Sequence, residues 1–256
     1  MSGARNGSRA GTAARFRELH HGRQPGEALV LPGAWDAAGA RIVADAGFAA
    51  LATPSAGVSA SLGYADGECP AEEMFAAVAR IARAVALPVT ADIERGYGLP
   101  PREIAERLLD TGAVGCNLED SVAGKLVPAG EQAEFLASVR EALGPAPFLN
   151  ARVDAHLHGA EEPLAEALER GRAYVAAGAD GVYPIGAPLD DLAVLARELP
   201  VPVNGLARVA GGGPSAAELA AAGCTRVTFG GGLAARAYDS VRADVRALAA
   251  ELRPGS

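Results

Sequence analysis

Short runs of apolar and β-branched residues ending in Gly, Asp or Pro alternate along this chain with longer stretches rich in Ala, Leu, Glu and Arg. The short runs predict strands and the long ones helices. ALVLPGAWD (28–36) pairs with AAGARIVADAG (37–47). FAALATPSAG (48–57) leads into a long loop over 56–69 and then into PAEEMFAAVARIARAV (70–85). LPVTADIERGYG (87–98) and PPREIAERLLDTG (100–112) form the third unit. AVGCNLED (113–120), the loop SVAGKLVPAG (121–130) and EQAEFLASVREALG (131–144) form the fourth. Four more units begin at PFLNARVDAH (147–156), ADGVYPIG (179–186), VPVNGLARVAGG (201–212) and CTRVTFGGG (224–232).

Parallel neighbours need crossover helices, and eight strand–helix units in 256 residues predict an α/β fold, a (β/α)8 TIM barrel, rather than an open doubly wound sheet. An extra helix, TAARFRELHHG (12–22), precedes the first strand. Residues 1–14 read as a disordered lead and 15–256 as one barrel domain, with no linker inside 27–251. The last helical pattern, 233–251, is long enough to reach a neighbouring subunit.

Composition narrows the partners. Half the residues are apolar, the net charge is −8 and the pI is about 5.1, so a nucleic-acid surface is not expected. No apolar run approaches the ~18 residues that span a bilayer. Cys69, Cys116 and Cys224 are far apart and odd in number, which argues against a disulfide framework or zinc cluster and for a reducing cytoplasm. The basic, small-residue N-terminus lacks the apolar core of a signal peptide.

In such a barrel, chemistry sits at the C-terminal ends of the strands. There the third strand carries Asp92 and Glu94, the fourth Asn117, Glu119 and Asp120, and the fifth Asn150, Arg152 and Asp154. Residues at i and i+2 share a face. Two like charges ~7 Å apart at an effective dielectric of ~20 repel by ~2.4 kcal/mol. A hard divalent cation, Mg²⁺ or Mn²⁺, removes that repulsion, binding Asp92, Glu94 and Glu119 directly or through water. Arg152 offers a bidentate grip for a substrate carboxylate or phosphonate. The competing arrangement puts Glu94 in solvent beside Arg95 or Arg102, and Arg152 in an ion pair with Asp154 or Glu119. Trp35-Asp36 and Thr53-Ser55 end the first two strands. Glycines in FGGG (229–232) and RVAGGGPS (208–215) read as tight turns more than as a phosphate cradle. His20, His21, His156 and His158 read as solvent-exposed, and Cys116 as core.

Trp35-Asp36, SAGVSASLGYADGE (55–68), ADIERGYG (91–98), NLEDS (117–121) and NARVDA (150–155), in this order and spacing, resemble the isocitrate lyase/phosphoenolpyruvate mutase superfamily. The resemblance covers about residues 31–238. It implies a (β/α)8 barrel, a tetramer built as a dimer of dimers with the last helix exchanged between subunits, and a small anionic substrate. Asp92 matches the Mg²⁺-binding aspartate, Glu94 a second acidic position, and Glu119 the glutamate of the metal shell. Asp66 matches a metal-shell or substrate-positioning aspartate, and Arg152 the substrate-binding arginine. Thr53, Ser55, Ala56 and Gly57 fall where a substrate carboxylate is bound, and Trp35, Asp36 and Asn150 line the site.

The implied chemistry makes or breaks a C–C or P–C bond beside an α-oxo group. Lys125 falls at the gating-loop lysine and could act as a mobile acid/base. Val127 stands where lyases of the superfamily carry a catalytic cysteine, and Pro184-Ile185-Gly186 stands where the mutase carries histidine. The expected activity is a Mg²⁺-dependent C–C lyase. The alternatives are a phosphonate P–C mutase or hydrolase, or a binding protein that has lost turnover.

Overall fold

The computed structural model describes residues 11–24, 26–209 and 211–252. Helix α1 (residues 11–18) is followed by β1 (Leu29–Leu31), α2 (Ala37–Asp45), β2 (Leu51–Thr53), α3 (Ser55–Leu62), α4 (Ala71–Ala84), β3 (Val89–Asp92) and α5 (Pro101–Thr111). Then come β4 (Gly115–Leu118), the hairpin of β5 (Ser121–Val122) and β6 (Lys125–Leu126), α6 (Ala129–Leu143), β7 (Phe148–Val153) and α7 (Pro163–Ala176). The chain ends with β8 (Gly181–Pro184), α8 (Leu189–Glu198), β9 (Asn204–Leu206), α9 (Ala216–Ala221), β10 (Arg226–Thr228) and α10 (Gly232–Glu251).

The parallel strands pair in the order β2-β3-β4-β7-β8 and β1-β10-β9. Parallel bridges Gly33–Ala52 and Val182–Val203 join the two sets into a closed barrel. Side chains alternate across each strand. Leu149, Ala151 and Val153 of β7 face outward into the layer shared with the helices, together with Val89, Ala91, Cys116, Leu118, Val182 and Val227. Their neighbours Asp92, Asn117, Asn150, Arg152, Tyr183, Asn204, Arg226 and Thr228 therefore face the barrel interior. This lumen is unusually polar.

A second apolar cluster closes the N-terminal end. Ala13 and Phe16 of α1 pack there with Leu29, Leu31, Ala50, Ala52, Val114 and Phe148. Helix is already present at residue 11, so the lead ends earlier than the pattern suggested; residues 1–10 lie outside the described residues. His20 corrects its sequence reading. It is buried because its ring stacks on Phe148 at 4.0 Å and its Nδ1 bonds the Phe16 carbonyl. His156 is likewise nearly enclosed, bonded through Nε2 to Asp191 at the start of α8.

The stretch 56–69, expected to be loop, begins with helix α3. Its Ser, Gly and Val content is a weak helix signal. Packing overrides it: a Cβ on Gly57 would meet Pro54, Ala234 and Trp35 at 3.0–3.2 Å, so glycine lets the helix seat this closely without pushing a neighbour aside. The expected loop 121–130 contains the β5–β6 hairpin. Among the described residues, no helix is long and apolar enough to cross a membrane.

Candidate active site at the C-terminal mouth of the barrel

Asp92 ends β3, in register with Asn117 of β4, which is in register with Asn150 of β7. Register and pleat thus carry Asp92 to the inner wall at the mouth. The backbone then turns. Glu94 and Tyr97 adopt left-handed φ values of 51° and 59°, and Gly96 between them sits at 81° against Ile104. Side-chain-bearing residues enter this region at a cost, and such strain concentrates at functional sites. The turn brings the Glu94 N–H to Asp92 Oδ1 at 3.2 Å.

The Glu94 side chain lies near the Gly67 N–H, which favours its ionised form, while its Oε1 is buried with no partner among the described residues. Burial pushes Glu94 up to about 7, reinforced by Asp92 and Asp66, and Arg152 opposes the rise. Burial also raises Asp92, against the pull of Arg152, the Glu94 N–H and the Asn117 side chain. Asp66 is exposed after α3, yet its charge reaches both groups. Glu119 is driven up to about 8, first by burial and then by Asp92, Asp154 and Glu94, with Arg152 pulling it down.

Arg152 is the cation of the site. Its Nη1 lies 2.7 Å from Glu119 Oε2 and its Nε donates to Asp154 Oδ1 at 2.6 Å. The ion pair open at the sequence level is therefore formed on both sides. Burial lowers the affinity of this guanidinium for its proton, but Asp92, Glu119 and Asp154 outweigh it and hold the charge firmly. Asp154 is fully buried and also accepts from Ser121 Oγ. Its backbone N–H donates to Asp120, which in turn accepts from Tyr174 and Arg170. Arg170 also binds the Val127 carbonyl, and the Val127 N–H donates to Asp120 O. The base of the β5–β6 hairpin is thereby tied to Arg152, and Val127 is buried in that tie. Lys125 is exposed on β6.

Thr53, Ser55, Ala56 and Gly57 come together where β2 runs into α3. The first N–H groups of a helix lack intrahelical acceptors and attract anions, and Thr53 Oγ1 is buried without a partner. Asp36 and Trp35 turn elsewhere. Asp36 is the N-cap of α2, accepting from the Gly39 N–H at 2.6 Å, and the Trp35 ring packs 6.2 Å from Tyr238 of α10. Asn150 is fully buried below the mouth, donating to Asn117 Oδ1 at 2.9 Å.

Two residues escaped sequence reasoning. Tyr183 is buried in the lumen in register with Arg152, its hydroxyl near Thr228. Tyr97 has a buried, unpartnered hydroxyl in the field of Glu94 and Asp92. The only sequence signal for Tyr183 was its alternation with Val182, and a lone aromatic there reads as core.

Among the described residues, no three His, Cys, Asp or Glu side chains surround one point closely enough to form a metal cage. The donor set still fits a hard divalent ion. All donors are oxygens, Glu94 Oε1 lacks a partner, and Mg²⁺ keeps several waters and needs only one or two carboxylates. Asp92 would bind it, with Glu94 and Glu119 reaching it through water.

The family model described as phosphoenolpyruvate phosphomutase matches residues 16–249. The chain belongs to that family, within the isocitrate lyase/phosphoenolpyruvate mutase superfamily. The structure of a provisionally designated phosphonomutase from Burkholderia cenocepacia superposes with a TM-score of 0.84 at 40% identity, covering 92% of this chain and 99% of the other. Oxaloacetate acetylhydrolase with its product oxalate superposes at 0.85 and 27% identity, covering 96% and 90%. The 2-methylisocitrate lyase of Bacillus subtilis is 31% identical, over 75% of this chain and 65% of its own length. The superfamily thus includes enzymes named for C–C lysis, hydrolysis and phosphonomutation. In this chain the mouth is acidic around Arg152, and Val127 is buried beside it.

Proposed function

We propose that this protein is a Mg²⁺-dependent lyase that breaks a C–C bond beside the oxo group of a small α-oxo acid, or that forms such an oxo group by aldol-type cleavage of a 2-hydroxy acid. The observation that carries the reading is the acidic group of Asp92, Glu94 and Glu119 around Arg152, with Glu94 Oε1 buried and unpartnered. When bound, the ion supplies polarisation of the oxo group and stabilises negative charge developing on its oxygen. Asp92 holds that ion and keeps its charge local.

One substrate carboxylate is received by Thr53 Oγ1 and the N-terminal amides of α3 at Ser55, Ala56 and Gly57. A second carboxylate is received by Arg152, which gives up Glu119 as it does so. Glu94, which burial raises to about 7 without a metal, is placed to move the proton that bond cleavage demands, and Lys125, exposed on the hairpin, would join it when the hairpin closes. Closing the hairpin over the mouth would exclude water from the charge that develops.

A phosphonate substrate is the second reading. It is favoured by the likeness to a provisionally designated phosphonomutase and by the same guanidinium, whose fork matches a phosphonate as well as a carboxylate. A panel of oxaloacetate, substituted malates, 2-methylisocitrate and phosphonopyruvate, incubated with Mg²⁺ and followed by NMR, separates the two. C–C products support the first reading. Loss or migration of the phosphorus group supports the second. Binding of oxalate without any turnover identifies a binding protein.

A further inference from the structure

Arg226 at the start of β10 is fully buried in the lumen, and among the described residues no carboxylate is bonded to it. Its Nε donates to Asn204 Oδ1 at 2.7 Å, its Nη2 to Asn117 Oδ1 at 3.3 Å, and its Nη1 to His20 Nε2 at 3.2 Å. The guanidinium also lies 5.5 Å from the ring centre of Phe148. His20 accepts because its Nδ1–H is spent on the Phe16 carbonyl, and burial beside Arg226 keeps the ring neutral, its pKa lowered to about 2. A cation held only by neutral acceptors is costly to bury, so its retention calls for a use.

Asn117 shows one. Its Oδ1 already accepts from both Asn150 and Arg226, which fixes the amide with its NH₂ turned away from them. Asp92 is its register partner on β3, so the two side chains stand side by side on the inner wall, and the Asn117 amide favours the ionised form of the Asp92 carboxyl. We propose that Arg226 is a positioning residue that acts through Asn117 to hold the Asp92 carboxylate in its metal-facing orientation. This rests on the reading of Asp92 as a metal carboxylate. Charge alone predicts the opposite sign: a cation below the mouth repels a divalent ion, so its removal would tighten metal binding.

The test uses Mn²⁺ as probe, measured by calorimetry and electron paramagnetic resonance, on the full-length protein and on Arg226→Met. The proposal predicts Mn²⁺ affinity weaker by about 10- to 100-fold, the usual effect of losing a group behind a metal ligand. Asn117→Leu weakens binding similarly, and the double variant loses no more than the worse single one. In the metal-free protein, the Asn117 side-chain amide protons exchange slowly and lose that protection in Arg226→Met. If Arg226→Met does not fold, Arg226→Lys serves, because one ammonium cannot bond Asn204 and Asn117 together.

Unchanged amide exchange, unchanged or tighter Mn²⁺ binding, or additive effects in the double variant overturn the proposal. Should the unaltered protein bind no Mn²⁺, the metal reading fails on its own and the amide exchange alone decides the role of Arg226.

Discussion

Arg152 Nη1 and Glu119 Oε2 lie 2.7 Å apart across the barrel mouth. The cation expected to grip the substrate and a carboxylate expected to serve the metal thus occupy each other. On the proposed reading, an anion arriving at Arg152 would displace Glu119 and free it to face the ion. Anion and metal binding should therefore assist one another.

Glu119→Gln removes the internal competitor. Without metal and above pH 8, where Glu119 is ionised, oxalate should bind this variant about fivefold tighter than the parent, the equivalent of an ion pair of ~1 kcal/mol. With Mg²⁺ the order should reverse. Calorimetry with and without EDTA measures both.

Glu94 and Glu119 rise from the ordinary 4.5 to about 7 and about 8 in the folded chain, chiefly through burial. The folded state therefore binds more protons than the unfolded one between about pH 4.5 and 8, and stability falls as pH rises through that window. Thermal melts in EDTA should show Tm dropping from pH 5 to pH 8. Mg²⁺, which favours the ionised carboxylates, should raise Tm more at pH 8 than at pH 6. A flat Tm profile would contradict the burial of these groups.

Arg152→Met leaves the buried Asp154 without its main charge partner and releases Glu119. Removing one partner from such a buried pair costs ~3–5 kcal/mol, so the urea midpoint should fall accordingly. Arg152→Lys should recover much of the stability but little of the substrate affinity, because an ammonium lacks the fork. Equal recovery of both would argue that Arg152 is only structural.

Val241, Val245 and Leu248 are exposed on one face of α10, and exposed Leu252 continues that face at the helix C-cap. Apolar stripes of this kind mark interaction surfaces. We expect a second copy of the chain to cover this one, as the exchanged helix of the sequence resemblance implies. Val245→Glu with Leu248→Glu should lower the mass seen by light scattering while leaving the circular dichroism unchanged. An unaltered mass would place the assembly interface elsewhere or show that there is none.

The barrel was legible because each strand–helix unit is punctuated by Gly or Pro and repeats in order. The same alternation located Asp92, Glu119 and Arg152 at strand ends. Helix α3 was hidden because its stability comes from close packing around Gly57, which local propensity does not report. His20 was misread because its burial depends on Phe148, far away in the chain, and on the buried Arg226. Asp36 looked like a site residue by position and is used instead to cap α2. Whether Arg152 was paired could not be read from spacing, since that depends on how Glu119 turns after its strand ends.

Turnover of oxaloacetate and substituted malates, followed by ¹³C NMR in Mg²⁺, tests the central claim most directly when run with the parent chain, the parent in EDTA and folded Asp92→Ala. The account predicts C–C cleavage products from the parent alone. Cleavage that survives both EDTA and Asp92→Ala, or its absence across the panel, would contradict it.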